Sequence, residues 1–433
     1  MAFFVGSKKR RPIAKNESMK AELVRRDRYT IFSKGEIGNL ALSNRLVRSA
    51  TGDPSILVGR KMSDEVLNLY RELAVGGVGL IITGGLLVYR ERMLGEDTGK
   101  STYTYEDLQI VGIERLADVV HRSRPDCKIV AQLEADYVNA GPSEISSPFS
   151  QETVRPFSVE EIRLIVDCFV EAIVRMKDAG FDGVQLNGAH GGLLSCSLSP
   201  YTNRRTDEYG GSIRNRARMV REIIAQARAK VDNWPILIKV NCTDYVEGGI
   251  DIDTFPDLAK EIQATGIDAI EISGGMRDCL VRSEAELGFR PVPSPDAHTR
   301  IGRPEKQSYF LKYTERLNLN IPVILVGGNR DIERLEEIVR LGKVDFIALC
   351  RPLIREPDLP NRWLEGRGSK TTRCISCNSC IYNISVHPGR PEPGLVICLA
   401  KQDKQQHRAA QEWLSSWVKE NVVKGEETCG TRL

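Results

Sequence analysis

Between about residues 40 and 355 the chain alternates short apolar runs rich in β-branched residues with longer amphipathic ones. The apolar runs predict strands at Arg45–Ala50, Val78–Thr83, Lys128–Leu133, Gly183–Asn187, Ile236–Asn241, Ala269–Ser273, Val323–Val326 and Asp345–Leu349. Helical periodicity marks Ser63–Ala74, Ser158–Ala179, Ile213–Ala229, Thr254–Thr265 and Ile332–Leu341 between them. Ser158 followed by Glu161 is a capping box at one helix start. Several strand runs are nearly all apolar, as expected where a parallel sheet is covered on both faces. Eight strands with intervening helices are the count of an α/β fold of the (β/α)8 TIM-barrel type, with room for loop insertions. A doubly wound dinucleotide sheet is the competing architecture, but no G-x-G-x-x-G follows any strand.

Composition narrows the class. Hydrophobic residues make up 41% and charged residues 27% of 433, enough for a large core. Lys plus Arg total 61 against 58 acidic residues, so electrostatics make no case for nucleic acid as a partner. No apolar run approaches the ~20 residues of a membrane helix. The N-terminus carries Lys8-Lys9-Arg10-Arg11 and lacks the pattern of a secretory signal, so a cytoplasmic protein with a solvated tail is expected. Three segments are anticipated: a flexible tail over 1–29, the barrel over 30–366, and a cysteine-bearing segment with a terminal helix around Gln402–Val422 over 367–433. The long, Pro-containing stretch Gly275–Lys306 follows the sixth strand, where barrels carry loops over the active mouth.

Residues at the C-terminal ends of barrel strands face the site. Those ends carry Ser49, Ala50 and Thr51, then Gly84-Gly85, Gln132, Asn187 with His190, Lys239, Ser273, Gly327-Gly328 and Cys350-Arg351. Glycines there let backbone amides approach a phosphate or a planar ring. Lys239 and Arg351 supply positive charge for a phosphate or a developing anion, and Lys239, inside an apolar strand, needs a buried partner. Asn187 and His190 offer two donors that can grip one carbonyl.

The stretch GFDGVQLNGAHGGLLSCSLSPYTNRRTDEYGGSIRNRAR, residues 180–218, closely resembles the signature of the Old Yellow Enzyme family of flavin oxidoreductases. NRLVRSA at 44–50, GGVGLIITGG at 76–85, AQL at 131–133, PVILVGG at 322–328 and VDFIALCRPLIREPDLP at 344–360 extend the likeness over about residues 30–400. The resemblance implies a barrel that holds FMN at its strand ends and is reduced by NADPH or NADH. By position, Ala50, Thr51 and Gly85 line the flavin and Gln132 bonds its pyrimidine edge. Lys239 stands beside N1 and O2 in place of the usual Arg. Gly327, Gly328, Cys350 and Arg351 surround the phosphate. Asn187 and His190 take the place of the pair that binds substrate or nicotinamide. Gly192 stands where ene-reductases of the family carry a tyrosine proton donor, which leaves water, Tyr137, Tyr201 or the substrate to deliver that proton.

Of eleven cysteines, four cluster as C-x2-C-x2-C-x17-C: Cys374, Cys377, Cys380 and Cys398. That spacing suits one 4Fe–4S cluster with Cys398 as fourth ligand. Zinc and a metal-free segment are the competing readings. CISCNSC is similar to the cysteine segment of the larger iron–sulfur members of the family, the branch of the 2,4-dienoyl-CoA reductases. The expected activity is hydride transfer from NADPH or NADH through FMN to an activated alkene or related small molecule. The alternatives are a flavin-dependent dehydrogenase or oxidase and a flavin-binding electron carrier. The oligomeric state stays open.

Overall fold

The computed structural model describes residues 28–52, 62–88, 110–135, 140–290, 293–384 and 395–429. The basic run at Lys8–Arg11, all but the end of the anticipated tail, and Tyr137 lie outside them.

Eight parallel strands close into a barrel: β1 (Leu46–Arg48), β2 (Leu80–Leu87), β3 (Lys128–Glu134), β4 (Gly183–Gly188), β5 (Ile236–Asn241), β6 (Ala269–Ser273), β7 (Val323–Leu325) and β8 (Phe346–Leu349). Neighbours in space are neighbours in sequence, and β8 pairs β1 to seal the ring. The covering helices are α1 (Asp64–Val75), α2 (Ile110–Ser123), α3 (Val159–Asp178), α4 (Arg218–Val231), α5 (Phe255–Gln263), the one-turn α6 (Leu311–Thr314), α7 (Ile332–Arg340) and α8 (Leu359–Glu365). Ser158 caps α3 as expected: its hydroxyl accepts from the Glu161 amide while the Glu161 carboxylate accepts from the Ser158 amide.

Strand alternation sorts the core into two layers. Ile238, Val240, Ile270 and Ile272 point outward beneath the helices. Leu237, Ala269, Val130, Ile324 and Phe346 point inward and fill the barrel floor. A hairpin, Gly35–Ile37 with Leu40–Leu42, plugs the N-terminal end with Ile37, Leu40 and Leu42. The barrel therefore opens only toward the C-terminal ends of its strands.

Two elements differ from expectation. Gly84 and Gly85, expected beyond the second strand, lie inside β2, which passes an irregularity between Ile82 and Gly85 and continues to Leu87. The stretch read as one helix over Ile213–Ala229 breaks at Ala217 into Ile213–Arg216 and α4, with the Arg216 guanidinium donating to the carbonyls of Leu198 and Gly211 beside the break. The segment after α8 forms α9 (Ser379–Ile384), α10 (Leu399–Gln402) and α11 (Lys404–Cys429). Ala410 and Leu414 bury the inner face of α11, and Trp413 meets Tyr382 edge-on at 5.5 Å. Among the described residues no helix is long and apolar enough to cross a membrane.

Candidate active site

Above the apolar floor the inward positions of the barrel turn polar. On β5 Lys239 follows Leu237, and on β6 Glu271 follows Ala269, in register as cross-strand neighbours. On β3 and β4, Gln132 and Gln185 are likewise paired. Buried polar groups need partners, and these find one another. Gln132 Nε2 donates to Gln185 Oε1 at 2.7 Å, and Gln185 Nε2 donates to Glu271 Oε2 at 2.7 Å. Ser49 Oγ donates to Glu271 Oε1 at 2.6 Å. Lys239 Nζ donates to Ser49 Oγ at 3.0 Å and lies 3.4 Å from Glu271 Oε1.

On top of this layer sits a cavity of about 370 Å3, within the range of small-molecule and cofactor sites. Every residue expected at the flavin or substrate lines it: Ala50, Thr51, Gly85, Gln132, Asn187, His190, Lys239, Gly327, Gly328, Cys350 and Arg351. From the anticipated stretch Gly275–Lys306, Ser294, Asp296, Ala297 and Ile301 line the cavity.

One end of the cavity is cationic. Arg351, which also donates to the His298 carbonyl at 2.8 Å and to Asn378 Oδ1 at 2.6 Å, lies there with Arg330, which donates to Ser376 Oγ. Gly327 has φ 101° and Gly328 φ 72°; a Cβ on either would meet the Tyr309 ring at 2.7 and 2.8 Å. The backbone here can pass only as glycine, because the Tyr309 and Phe310 rings pack against it, and its main chain lines the cavity together with both guanidiniums. Thr51 Oγ1 and Cys350 Sγ, 3.1 Å apart, tie the first and last strand ends together.

The expected donor pair lines the same cavity, each member already engaged. Asn187 Nδ2 donates to Glu134 Oε2 at 2.9 Å. The His190 ring nitrogen Nε2 is 2.7 Å from Ser273 Oγ and 3.9 Å from Asp296 Oδ2. His190 sits at φ 59°, a conformation rare for a side-chain-bearing residue, held by its amide donating to Asn241 Oδ1. Burial pulls the imidazole below its ordinary value, against the opposite pull of Asp296. Burial raises the Asp296 carboxyl, but His190, the Ser294 hydroxyl, Lys239 and Arg351 together hold it below the usual range.

The proton donors considered from the sequence fare differently. Gly192 caps the turn Leu193–Leu198 just outside the cavity, with φ −69°. Tyr201 does not line the cavity either; its hydroxyl donates to Asp278 Oδ2 at 2.9 Å, which removes it as a substitute acid in this arrangement. Sequence reasoning missed Glu134, Asp296 and Arg330 as cavity residues. It also missed Glu271, whose isolated charge in the apolar run AIEIS was the matching signal to Lys239 in ILIKVN.

Cys374, Cys377, Cys380 and Cys398 surround one small second cavity, and Cys380 lines the main cavity as well. Burial pushes the Cys380 thiol up, and Cys398 Sγ accepts from Arg355 at 3.6 Å. Among the described residues no three His, Cys, Asp or Glu side chains are grouped to hold a metal ion. The thiols as placed here share a cavity without forming a ligand set.

Known proteins resemble this chain in sequence and in fold. The family model described as NADH:flavin oxidoreductase / NADH oxidase family matches residues 30–370. An NADH oxidase of Thermoanaerobacter brockii is 33% identical over 368 residues, covering 81% of this chain and 53% of that protein. An NADPH dehydrogenase of Bacillus subtilis (strain 168) is 30% identical, covering 76% of this chain and 92% of that protein. A 2-naphthoyl-CoA reductase structure shares the fold, with a TM-score of 0.71 at 24% identity over 89% of this chain and 58% of that one. The chain spans about half the length of the first curated relatives it matches. The chain belongs to the NADH:flavin oxidoreductase / NADH oxidase family.

Proposed function

We propose that this chain is an FMN-dependent oxidoreductase that takes hydride from NADPH or NADH and passes it to an activated alkene or a related small-molecule acceptor. The observation that carries this is the convergence of all the expected flavin and substrate residues on one cavity with a cationic end and a donor-bearing face. The residues present fit FMN: Arg351, Arg330 and the Gly327-Gly328 backbone would hold its phosphate, and Gln132 and Lys239 its pyrimidine edge. Bound FMN would supply a two-electron hydride acceptor and donor. Asn187 and His190 then orient the acceptor and polarise its carbonyl. Lys239 supplies positive charge at the pyrimidine end. Ile301, Ala297 and Phe310 give the chamber an apolar wall. The cysteine segment carries no part of this reading, and we place the enzyme in the cytoplasm with a small-molecule partner.

A second reading is a flavin-dependent dehydrogenase. It draws on the carboxylates of Glu134 and Asp296 beside the two donors, and on the burial that holds the His190 imidazole below its ordinary value and so leaves it neutral, with no extra proton to deliver. Anaerobic turnover separates them. NADPH or NADH oxidation that depends on an added enone supports the reductase reading. Oxidation that proceeds only with oxygen or an artificial electron acceptor, and never responds to an alkene, contradicts it.

A further inference from the structure

We infer that Glu271 is the residue that sets the reduction potential of the flavin site, by holding Lys239 in a buried ion pair and Gln132 in a hydrogen-bonded chain. The inference rests on the reading of the cavity as a flavin site. Glu271 does not line the cavity and is fully buried beneath it. Its two oxygens face three donor groups from three other parts of the barrel: Ser49 after β1, Gln185 on β4 and the Lys239 ammonium on β5. Each of these reaches the cavity floor or hands on to a residue that does. Lys239 lines the cavity directly, and Gln185 accepts from Gln132, which lines it too. The two side chains facing the pyrimidine end of the proposed site are thus tied to one carboxylate.

The electrostatic consequence follows from where that carboxylate sits. A buried ammonium with no counter-charge would favour any anion placed against it, and a flavin gains negative charge on that end when it accepts two electrons. Glu271, 3.4 Å from the ammonium, offsets part of that attraction in a poorly screened interior. The site is therefore less cationic than Lys239 alone would make it, and the flavin remains a ready donor to a weak acceptor. Ser49 keeps the balance fixed: its hydroxyl donates to Glu271 and accepts from Lys239, so neither side chain swings away. Glu271 touches neither flavin nor substrate in this arrangement and is a positioning residue.

The test is the midpoint potential of FMN bound to the full-length protein, measured by equilibration with a reference dye, in the wild type and in Glu271→Gln. The amide keeps the shape and can still accept from Gln185, but it drops the charge. Lys239 then favours reduced over oxidised FMN more strongly, by roughly tenfold, which is a rise of about 30 mV for a two-electron couple. An unchanged or lowered potential in Glu271→Gln overturns the inference. If that variant does not fold, Glu271→Asp decides: it keeps the charge but withdraws it from Lys239 by one methylene, so a smaller rise supports the inference and no rise overturns it. A purely structural role predicts loss of FMN content with no change in the potential of what remains. Wild-type protein that binds no FMN would instead overturn the functional reading on which the inference rests.

Discussion

Asn187 on β4 donates to the Glu134 carboxylate on the neighbouring strand β3 at 2.9 Å, so the amide expected to grip an acceptor is oriented before any acceptor arrives. His190 is fixed in the same way by Ser273 and by its own left-handed backbone. Such preorganised donors contribute through what they do in the transition state. Asn187→Ala and His190→Ala should each slow acceptor-dependent turnover by roughly 10²-fold. FMN content, read from the absorption of the purified variant, should stay at the wild-type level. Loss of flavin together with turnover would move these residues from substrate to cofactor binding.

Gly192 accepts a Cβ without a clash: the nearest atoms are the carbonyl oxygens of Ala189, Ala135 and Asn187, at 3.6, 3.7 and 4.0 Å, and φ −69° suits any residue. A placed acid is worth roughly 10²–10⁴-fold in a proton-transfer step. Gly192→Tyr should raise alkene reduction at least tenfold, or narrow the range toward smaller alkenes. Steady-state rates over a graded series of enones check this. Unchanged turnover and unchanged range would show that a proton donor at this position does not limit the reaction.

Arg351 marks the phosphate end. A hydrogen bond to a charged group is worth roughly 1.5–3 kcal/mol, so Arg351→Met should weaken FMN binding about ten- to a hundredfold. Riboflavin, which lacks the phosphate, should bind variant and wild type alike. Titration of the deflavinated protein by flavin fluorescence quenching measures both. Equal losses for FMN and riboflavin would place Arg351 elsewhere on the cofactor.

His298 gives a pH signature. It is stacked between Phe289 at 3.5 Å and Tyr309 at 3.8 Å, and its buried Nε2 has no hydrogen-bond partner among the described residues. Burial pulls its imidazole down to about 3, with Arg351 adding to the effect. The unfolded chain takes up that proton below pH ~6.5, while the folded chain does not until near 3. The depressed group thus stabilises fully above pH ~6.5, and the contribution falls by up to about 1.4 kcal/mol per pH unit as pH drops toward 3. His298→Phe keeps the ring stack and removes the proton site. Its urea midpoint should fall less between pH 7 and pH 5 than that of the wild type. Parallel falls would contradict the assignment.

The barrel was legible because its strands are short, apolar and evenly spaced, so their existence survived errors of a residue or two at the ends. Gly84-Gly85 misled because glycine permits a turn without requiring one, and only the ladder with β3 shows the strand continuing. Residues at strand ends were readable from position alone. Asp296 and Arg330 were not, since the first sits on a loop and the second beyond a strand end. Their approach to the cavity depends on how the segments after β6 and α8 fold back. Lys239 announced that it needed a partner, and Glu271 occupies the matching place on the next strand. What no spacing could show was that one hydroxyl, Ser49, would join them.

Whether this cavity holds FMN and uses it decides the proposed function. The most direct measurement is the visible spectrum of the full-length protein, purified anaerobically or reconstituted with FMN, before and after addition of NADPH or NADH. Oxidised-flavin bands should bleach on addition of reduced nicotinamide and return on addition of an enone, with FMN recovered from the denatured protein. A colourless protein that takes up no FMN on reconstitution would contradict it.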